Sequence, residues 1–306
     1  MSSPEEAEPL YSAERGISCD GRVAVVTDSV AQVPPRAASV LGITVVPMKL
    51  VLGDQEYRDG IDITPAELYR RMREEKVLPR TSSPSVGDYL GAFTGLLRDG
   101  AEGIVCLTPS SRLTMAHSAA RLAAEMAVAA FPDRRVEVVD TRIAAYAQGF
   151  VALRAAQAAA EGASLEQVVA VAEEARQRVG LVGTVDTLEY LVRGGRVSLA
   201  AGLLGNLLQV KPLLTIESDG TATCIARKRT TRAALESMIE YVAERANGRP
   251  ALRLAVMQAA APLEALELKQ LALQAWPTAE VVVTDFTPVM GGHTGPGLIG
   301  LAFYCE

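Results

Sequence analysis

The stretch GIVCLTPSSRLT, Gly103 to Thr114, decides the fold. Gly103 to Leu107 form a short apolar run with β-branched Ile104 and Val105, the pattern of a strand buried on both faces. Thr108, Pro109, Ser110 and Ser111 close the run, and a long alanine-rich segment of helical character follows. The same unit recurs on either side. VAVVT (Val23 to Thr27) leads into Asp28 and Ser29, and VEVV (Val136 to Val139) leads into Asp140 and Thr141. Strands alternating with helices predict an α/β fold whose sheet is mostly parallel and flanked by helices.

Working outward, ITVVPMKLVL (Ile43 to Leu52) is a further strand region, and Pro47 within it implies an edge or a bend. Thr64, Pro65 and Glu67 predict a helix start: Thr64 caps, Pro65 suits the first turn and Glu67 occupies the capping-box position. A helix is also expected from about Val86. Beyond it the pattern changes. Two helical segments, about Ile143 to Glu161 and Ser164 to Val179, come in succession, followed by a strand at Leu181 to Val185. Asp186 to Arg193 reads as a short helix closed by Gly194 and Gly195. Lys211 to Glu217 and Thr221 to Ile225 flank Asp219-Gly220, a hairpin signal. Two α/β pairs end the chain, with strands near Leu252 to Met257 and Val281 to Thr284. At roughly 150 residues per domain, 306 residues suit one large domain or, as the change of pattern favours, two domains. They are expected at residues 22–162 and 163–306, the second with a mixed sheet, after a disordered leader at residues 1–21.

Composition removes whole classes. Hydrophobic residues make up 49%, too many for a disordered chain, and the net charge of -6 argues against a nucleic-acid partner. His117 and His293 are the only histidines, so no multi-histidine metal centre can form, and no cofactor is expected. Cys19, Cys106, Cys224 and Cys305 form no CxxC pair and read as reduced thiols of a cytoplasmic protein. The acidic N-terminus lacks a signal-peptide core. The uncharged run from Phe286 to Cys305 holds five glycines and two prolines, which rules out an integral membrane span but leaves transient membrane contact open. GPGLIG (Gly295 to Gly300) matches a dinucleotide fingerprint but lies too close to Glu306 for the unit that such a fingerprint needs. There is no Walker loop, no GxSxG elbow and no HExxH. Asp54, Glu56, Asp59 and Asp62 miss the EF-hand register, since Gly60 is one place off, and read as a solvated turn.

What remains is a set of hydroxyl loops. Thr27-Asp28-Ser29, Thr108 to Ser111 and Asp140-Thr141 lie at the carboxyl ends of predicted parallel strands, where open α/β sheets bind ligands. Thr81, Ser82, Ser83 and Ser85 precede a helix start, which favours an anion. The loops at residues 81–85 and 108–111 carry no lysine, so a single weak anion such as a carboxylate suits them better than a polyphosphate. His293, in its glycine-rich loop, adds an imidazole donor. Taken singly, each loop can equally be a set of helix caps and turns. Two basic clusters, Arg193 to Arg196 and Ala226 to Arg232, are either docking surfaces or solvated faces.

These pieces together resemble the DegV family of fatty-acid-binding proteins, which includes the binding subunits of bacterial fatty acid kinase. The resemblance rests on VTDS (Val26 to Ser29), RTSSPS (Arg80 to Ser85), TPSSRLT (Thr108 to Thr114), VDT (Val139 to Thr141), LEYLVRGGRVS (Leu188 to Ser198), KPLLTIESDG (Lys211 to Gly220), RKRTTR (Arg227 to Arg232) and GGHTGPGLIGLAFY (Gly291 to Tyr304). They run in family order over nearly all of Arg22 to Tyr304. The resemblance implies a two-domain fold that holds one long-chain fatty acid between its domains. Thr81 and Ser82, a serine of the Ser110-Ser111 pair, and His293 would meet the carboxylate. Arg229 would face the transferred phosphate or the kinase, and Arg193 and Arg196 would form part of the docking surface. The bound acid would be presented to a separate kinase that makes an acyl-phosphate for phospholipid metabolism, the chain itself being no enzyme. One departure stands out: Met115 and His117 replace the glycine and tyrosine of the family's L-S-G-T-Y, and His117 is read as an exposed helical histidine rather than as a new polar neighbour of the site. Two enzymatic readings compete. One is a lipid-ester hydrolase using Ser110 or Ser111 with His293, for which no acid partner is evident. The other is a small-molecule phosphotransferase, for which no nucleotide motif is present.

Overall fold

A computed structural model describes residues 23–75, 77–194, 210–246 and 252–305. The expected leader and Arg196 lie outside them. The first half is built on a parallel sheet of four strands in the order β2-β1-β6-β7. β1 is Val23–Asp28, β2 Ile43–Val46, β6 Gly103–Thr108 and β7 Arg135–Asp140. β6 is buried at every residue, as its unbroken apolar run predicts. The strand region around Pro47, where an edge or a bend is expected, leaves β2 at the edge of the sheet and splits there. β2 ends at Val46 and pairs with β1, whereas β3 (Lys49–Leu52) joins a separate antiparallel sheet with β4 (Gln55–Arg58) and β5 (Arg80–Ser82). That small sheet places Thr81 beside the ends of the parallel strands.

Helices α1 (Pro35–Leu41) and α2 (Pro65–Glu74) connect the early strands. Thr64 caps α2 as predicted, accepting from Glu67 N at 3.2 Å. The Glu67 carboxylate does not close the box; it pairs with Arg70 and Arg71. α3 (Val86–Arg98) starts at Ser85 with a complete capping box to Asp88. α3 and α4 (Ala116–Ala130) cover one face of the parallel sheet, packing Tyr89, Phe93, Ala120 and Ala127 against Val26, Ile104 and Cys106.

The other face meets α5 (Ala145–Ala160), with α6 (Leu165–Arg176) beside it. α5 is buried on almost every side, at 12 of its 16 residues, because a second sheet covers its far side. That sheet has six strands in the order β10-β9-β8-β13-β11-β12 and is mixed. β8 is Val179–Thr184, β9 Lys211–Ile216, β10 Ala222–Lys228, β11 Leu252–Gln258, β12 Glu280–Asp285 and β13 Ile299–Cys305. β9 and β10 form the antiparallel hairpin that Asp219-Gly220 predicts. A short α7 (Glu189–Arg193) follows β8. α8 (Thr231–Ala246) and α9 (Pro262–Ala275) cover the outer face, and α10 (Pro288–Thr294) carries His293. Strand periodicity divides the side chains. Leu254, Val256, Leu301 and Phe303 face the outer helices, while Ala255, Met257, Ala302 and Tyr304 face α5 and the first half. The apolar run Phe286 to Cys305 is therefore a short helix and a buried strand. No described helix is long and apolar enough to cross a membrane.

Gly149 shows how tightly α5 is seated. A Cβ there would lie 2.3 Å from the carbonyl oxygen of Ala31, just after β1. Gly→Ala inside a helix ordinarily stabilises by about 1 kcal/mol, but overpacking against backbone costs about 1–3 kcal/mol. Gly149→Ala is expected to lower the urea midpoint; a rise would show that α5 can shift away from β1.

Candidate functional site

A cavity of about 770 Å³ opens between the inner face of the six-stranded sheet and the loops at the carboxyl ends of the parallel strands. Its apolar wall includes Met48, Leu181, Leu191, Leu214, Phe286 and Val289. Gly183 and Gly300, paired in register on β8 and β13, also line it. Its polar lining is Thr81 and Ser82 on β5 with Ser83 just after it, Ser111, Arg112 and Thr114 after β6, Thr215 on β9, and His293 and Thr294 on α10. Such a pocket, largely apolar with a few convergent polar groups, is the usual form of a small-molecule site.

Thr81 and His293 meet directly. Thr81 Oγ1 and His293 Nε2 are 2.6 Å apart, although 212 residues separate them in the chain. The other ring nitrogen faces the end of α7: Nδ1 lies 3.6 Å from where a Cβ of Gly194 would stand. α10 is fixed by the first half of the chain. Val289 N donates to Asp59 Oδ1 at 2.9 Å, and Ser29 Oγ donates to Asp59 Oδ2 at 2.6 Å. Tyr69 Oη donates to Phe286 O at 3.1 Å, and Gln32 Nε2 to Asp285 O at 2.8 Å. Gly291 permits this seating, since a Cβ there would fall 2.2 Å from Tyr69 Oη.

Asp59 corrects one expectation. It is 2% exposed rather than part of a solvated turn, because Ser29 and the start of α10 approach it from distant parts of the chain. Burial raises its pKa, opposed by the Ser29 and Val289 hydrogen bonds. His117 corrects another. It is half-buried, with Nδ1 3.2 Å from Thr108 Oγ1, and burial lowers its pKa.

The two serines after β6 differ in role. Ser110 is fully buried and does not line the cavity; its hydroxyl donates to Gly220 O at 2.7 Å, joining the loop to the β9–β10 hairpin tip. Ser111 does line it, and its Oγ donates to Asp140 Oδ2 at 2.6 Å. Neither the Ser110 nor the Ser111 hydroxyl bonds to His293; among the described residues their partners are Gly220 O and Asp140 Oδ2. Arg193 pairs with Glu189 at 3.2 Å on α7, and Arg229 is exposed just beyond β10; neither is among the described lining residues.

The hydroxyl reading of the loops passes over Arg112, which lines the cavity immediately after Ser111. A cation following the hydroxyl pair was its signal. Asp59 left no such signal, because its burial depends on contacts with Ser29 and Val289.

A family model described as "Uncharacterised protein, DegV family" matches residues 22–306. The DegV domain-containing protein SCO2569 of Streptomyces coelicolor is 38% identical over 280 residues, 91% of this chain and 97% of that one. Among solved structures, a DegV family protein from Thermus thermophilus, described by its fatty acid binding, superposes with a TM-score of 0.85 at 34% identity, covering 93% of this chain and all (100%) of that one. DegV from Bacillus subtilis, described as a fatty acid binding protein, gives 0.83 at 29% identity, with 93% and 99% covered. The chain belongs to the DegV family.

Proposed function

We propose that the chain binds one long-chain fatty acid, with its carboxylate at Thr81, Ser82, Ser111 and His293 and its tail along the apolar wall. The carrying observation is the Thr81–His293 pair at 2.6 Å on the lining of a large apolar cavity. A carboxylate oxygen that replaces their mutual hydrogen bond would accept from both the hydroxyl and an imidazole N–H, which makes its desolvation tolerable. Ser110 supports the site from behind, through Gly220. About fifteen methylenes at about 0.8 kcal/mol each would contribute on the order of 12 kcal/mol before the costs of association. The fatty acid binding of the Thermus and Bacillus relatives supports the same reading.

The family resemblance supports the rest. The two halves, meeting near residue 162, act as domains that enclose the acid. The chain is a carrier and not an enzyme: it presents the carboxylate to a separate fatty acid kinase in the cytoplasm. Arg193, Arg196 and Arg229 serve that encounter, with acyl-phosphate for phospholipid metabolism as the product.

Organic extraction of the purified protein followed by mass spectrometry should recover a long-chain fatty acid. Recovery of none, together with no binding of added oleate or palmitate, contradicts the proposal. Thr81→Ala and His293→Ala should each weaken oleate binding about tenfold or more, since a hydrogen bond to a charged group is worth about 1.5–3 kcal/mol. Unchanged affinity in both variants, measured by titration calorimetry, would move the carboxylate elsewhere.

A further inference from the structure

Among the described residues that line the cavity, one carries a formal charge, and it is Arg112. Its backbone is fixed: Arg112 N donates to Ser110 Oγ at 3.2 Å, and Leu113 N and Thr114 N both donate to Ser110 O. Ser110 is in turn pinned to Gly220 O. The Arg112 residue is exposed at the crest of this turn. Other arginines of the chain, such as Arg58, Arg70, Arg135 and Arg232, are held in ion pairs. Arg112 has no such ion pair among the described residues. Asp219 on the hairpin tip feels its charge, and that carboxylate already accepts from Thr221 N and Thr221 Oγ1, each at 2.9 Å. The guanidinium therefore keeps its forked donor set for a ligand.

We propose that Arg112 is the specificity-determining residue that selects an anionic head group over a neutral one of the same chain. This rests on the fatty-acid reading and deepens it. The apolar wall and the Thr81–His293 pair would accept a fatty alcohol, because a hydroxyl also bonds to a hydroxyl and an imidazole. Only a charged group distinguishes carboxylate from alcohol by Coulomb attraction, and Arg112 is the lining residue that stays charged at every accessible pH. Its place on the turn that bears Ser111 puts that charge on the same wall as a proposed carboxylate contact.

The test measures binding of oleate and of oleyl alcohol to the wild-type protein, Arg112→Gln and Arg112→Lys. Arg112→Gln should bind oleate about tenfold more weakly while its affinity for oleyl alcohol stays within about twofold, which is a loss of about 1.4 kcal/mol of discrimination. Arg112→Lys should recover part of the preference, and wild-type oleate affinity should fall with rising salt. Equal oleate affinity in wild type and Arg112→Gln overturns the assignment, and so does an equal loss for acid and alcohol, which would indicate a structural role. Failure of the wild-type protein to bind either ligand overturns the fatty-acid reading itself.

Discussion

Leu214→Trp is expected to weaken oleate binding on the order of 100-fold while leaving the protein folded. Leu214 lies on β9 with its side chain on the inner face of the six-stranded sheet, half-buried and lining the cavity. Its neighbour Leu213 points the other way, into the core beneath α8 and α9. An indole at residue 214 therefore grows into open volume rather than into packed core, where overpacking would destabilise. If the ring displaces four methylenes of a bound chain, about 3 kcal/mol is lost, which corresponds to somewhat more than 100-fold in affinity. The loss should shrink as the acid is shortened, because a shorter tail leaves the blocked volume empty in both proteins. Titration of wild type and variant with acids of ten to eighteen carbons checks this. Equal oleate affinity in the folded variant would mean that the tail does not follow the inner sheet face.

The second large effect concerns stability and comes from Asp28, at the end of β1. Its carboxyl is fully buried, and burial pushes its pKa up to about 7, opposed by hydrogen bonds from Val30 N, Gln148 and Tyr89 and assisted by the nearby Asp59. Val30 N donates to Asp28 Oδ1 at 3.0 Å and Tyr89 Oη to Oδ2 at 3.4 Å. An unfolded aspartate titrates near 3.9. Between that value and about 7, the folded protein keeps a proton that the unfolded chain has released. The stability that Asp28 contributes is therefore fully present below about pH 4 and is lost as pH rises through about 7. Asp28→Asn removes the titration but keeps the acceptor for Val30 N. The stability of Asp28→Asn relative to wild type should rise by about 3 kcal/mol between pH 5 and pH 8, in urea unfolding at each pH. A difference that stays constant with pH would show that Asp28 is ionised in the folded protein throughout.

The parts of this molecule legible in its sequence are those fixed by local pattern. β6 is readable because a strand covered on both faces must be apolar throughout, and the β9–β10 hairpin because Asp219-Gly220 suits its turn. The break at Pro47 is readable because proline cannot continue the ladder. Which sheet β3 then joins is not, since β4, QEYR, buries only Tyr57 and lacks an apolar alternation. The site divides in the same way. Its residue types could be named from the loops, with Thr81 and His293 among them. Their contact could not, because it depends on Asp59, Tyr69 and Gln32 holding α10 across the molecule. Ser110 and Ser111 look interchangeable in sequence; the hairpin tip and Asp140 give their hydroxyls different tasks. His117 likewise has its environment set by Thr108, at the end of the strand before its helix.

A crystal structure of the protein with oleate tests the central claim most directly. The account predicts one elongated chain along the face bearing Leu181 and Leu214, with a carboxylate oxygen within hydrogen-bond distance of both Thr81 Oγ1 and His293 Nε2. A chain bound elsewhere, or one whose carboxylate lies at the opposite end of the cavity from that pair, would contradict it.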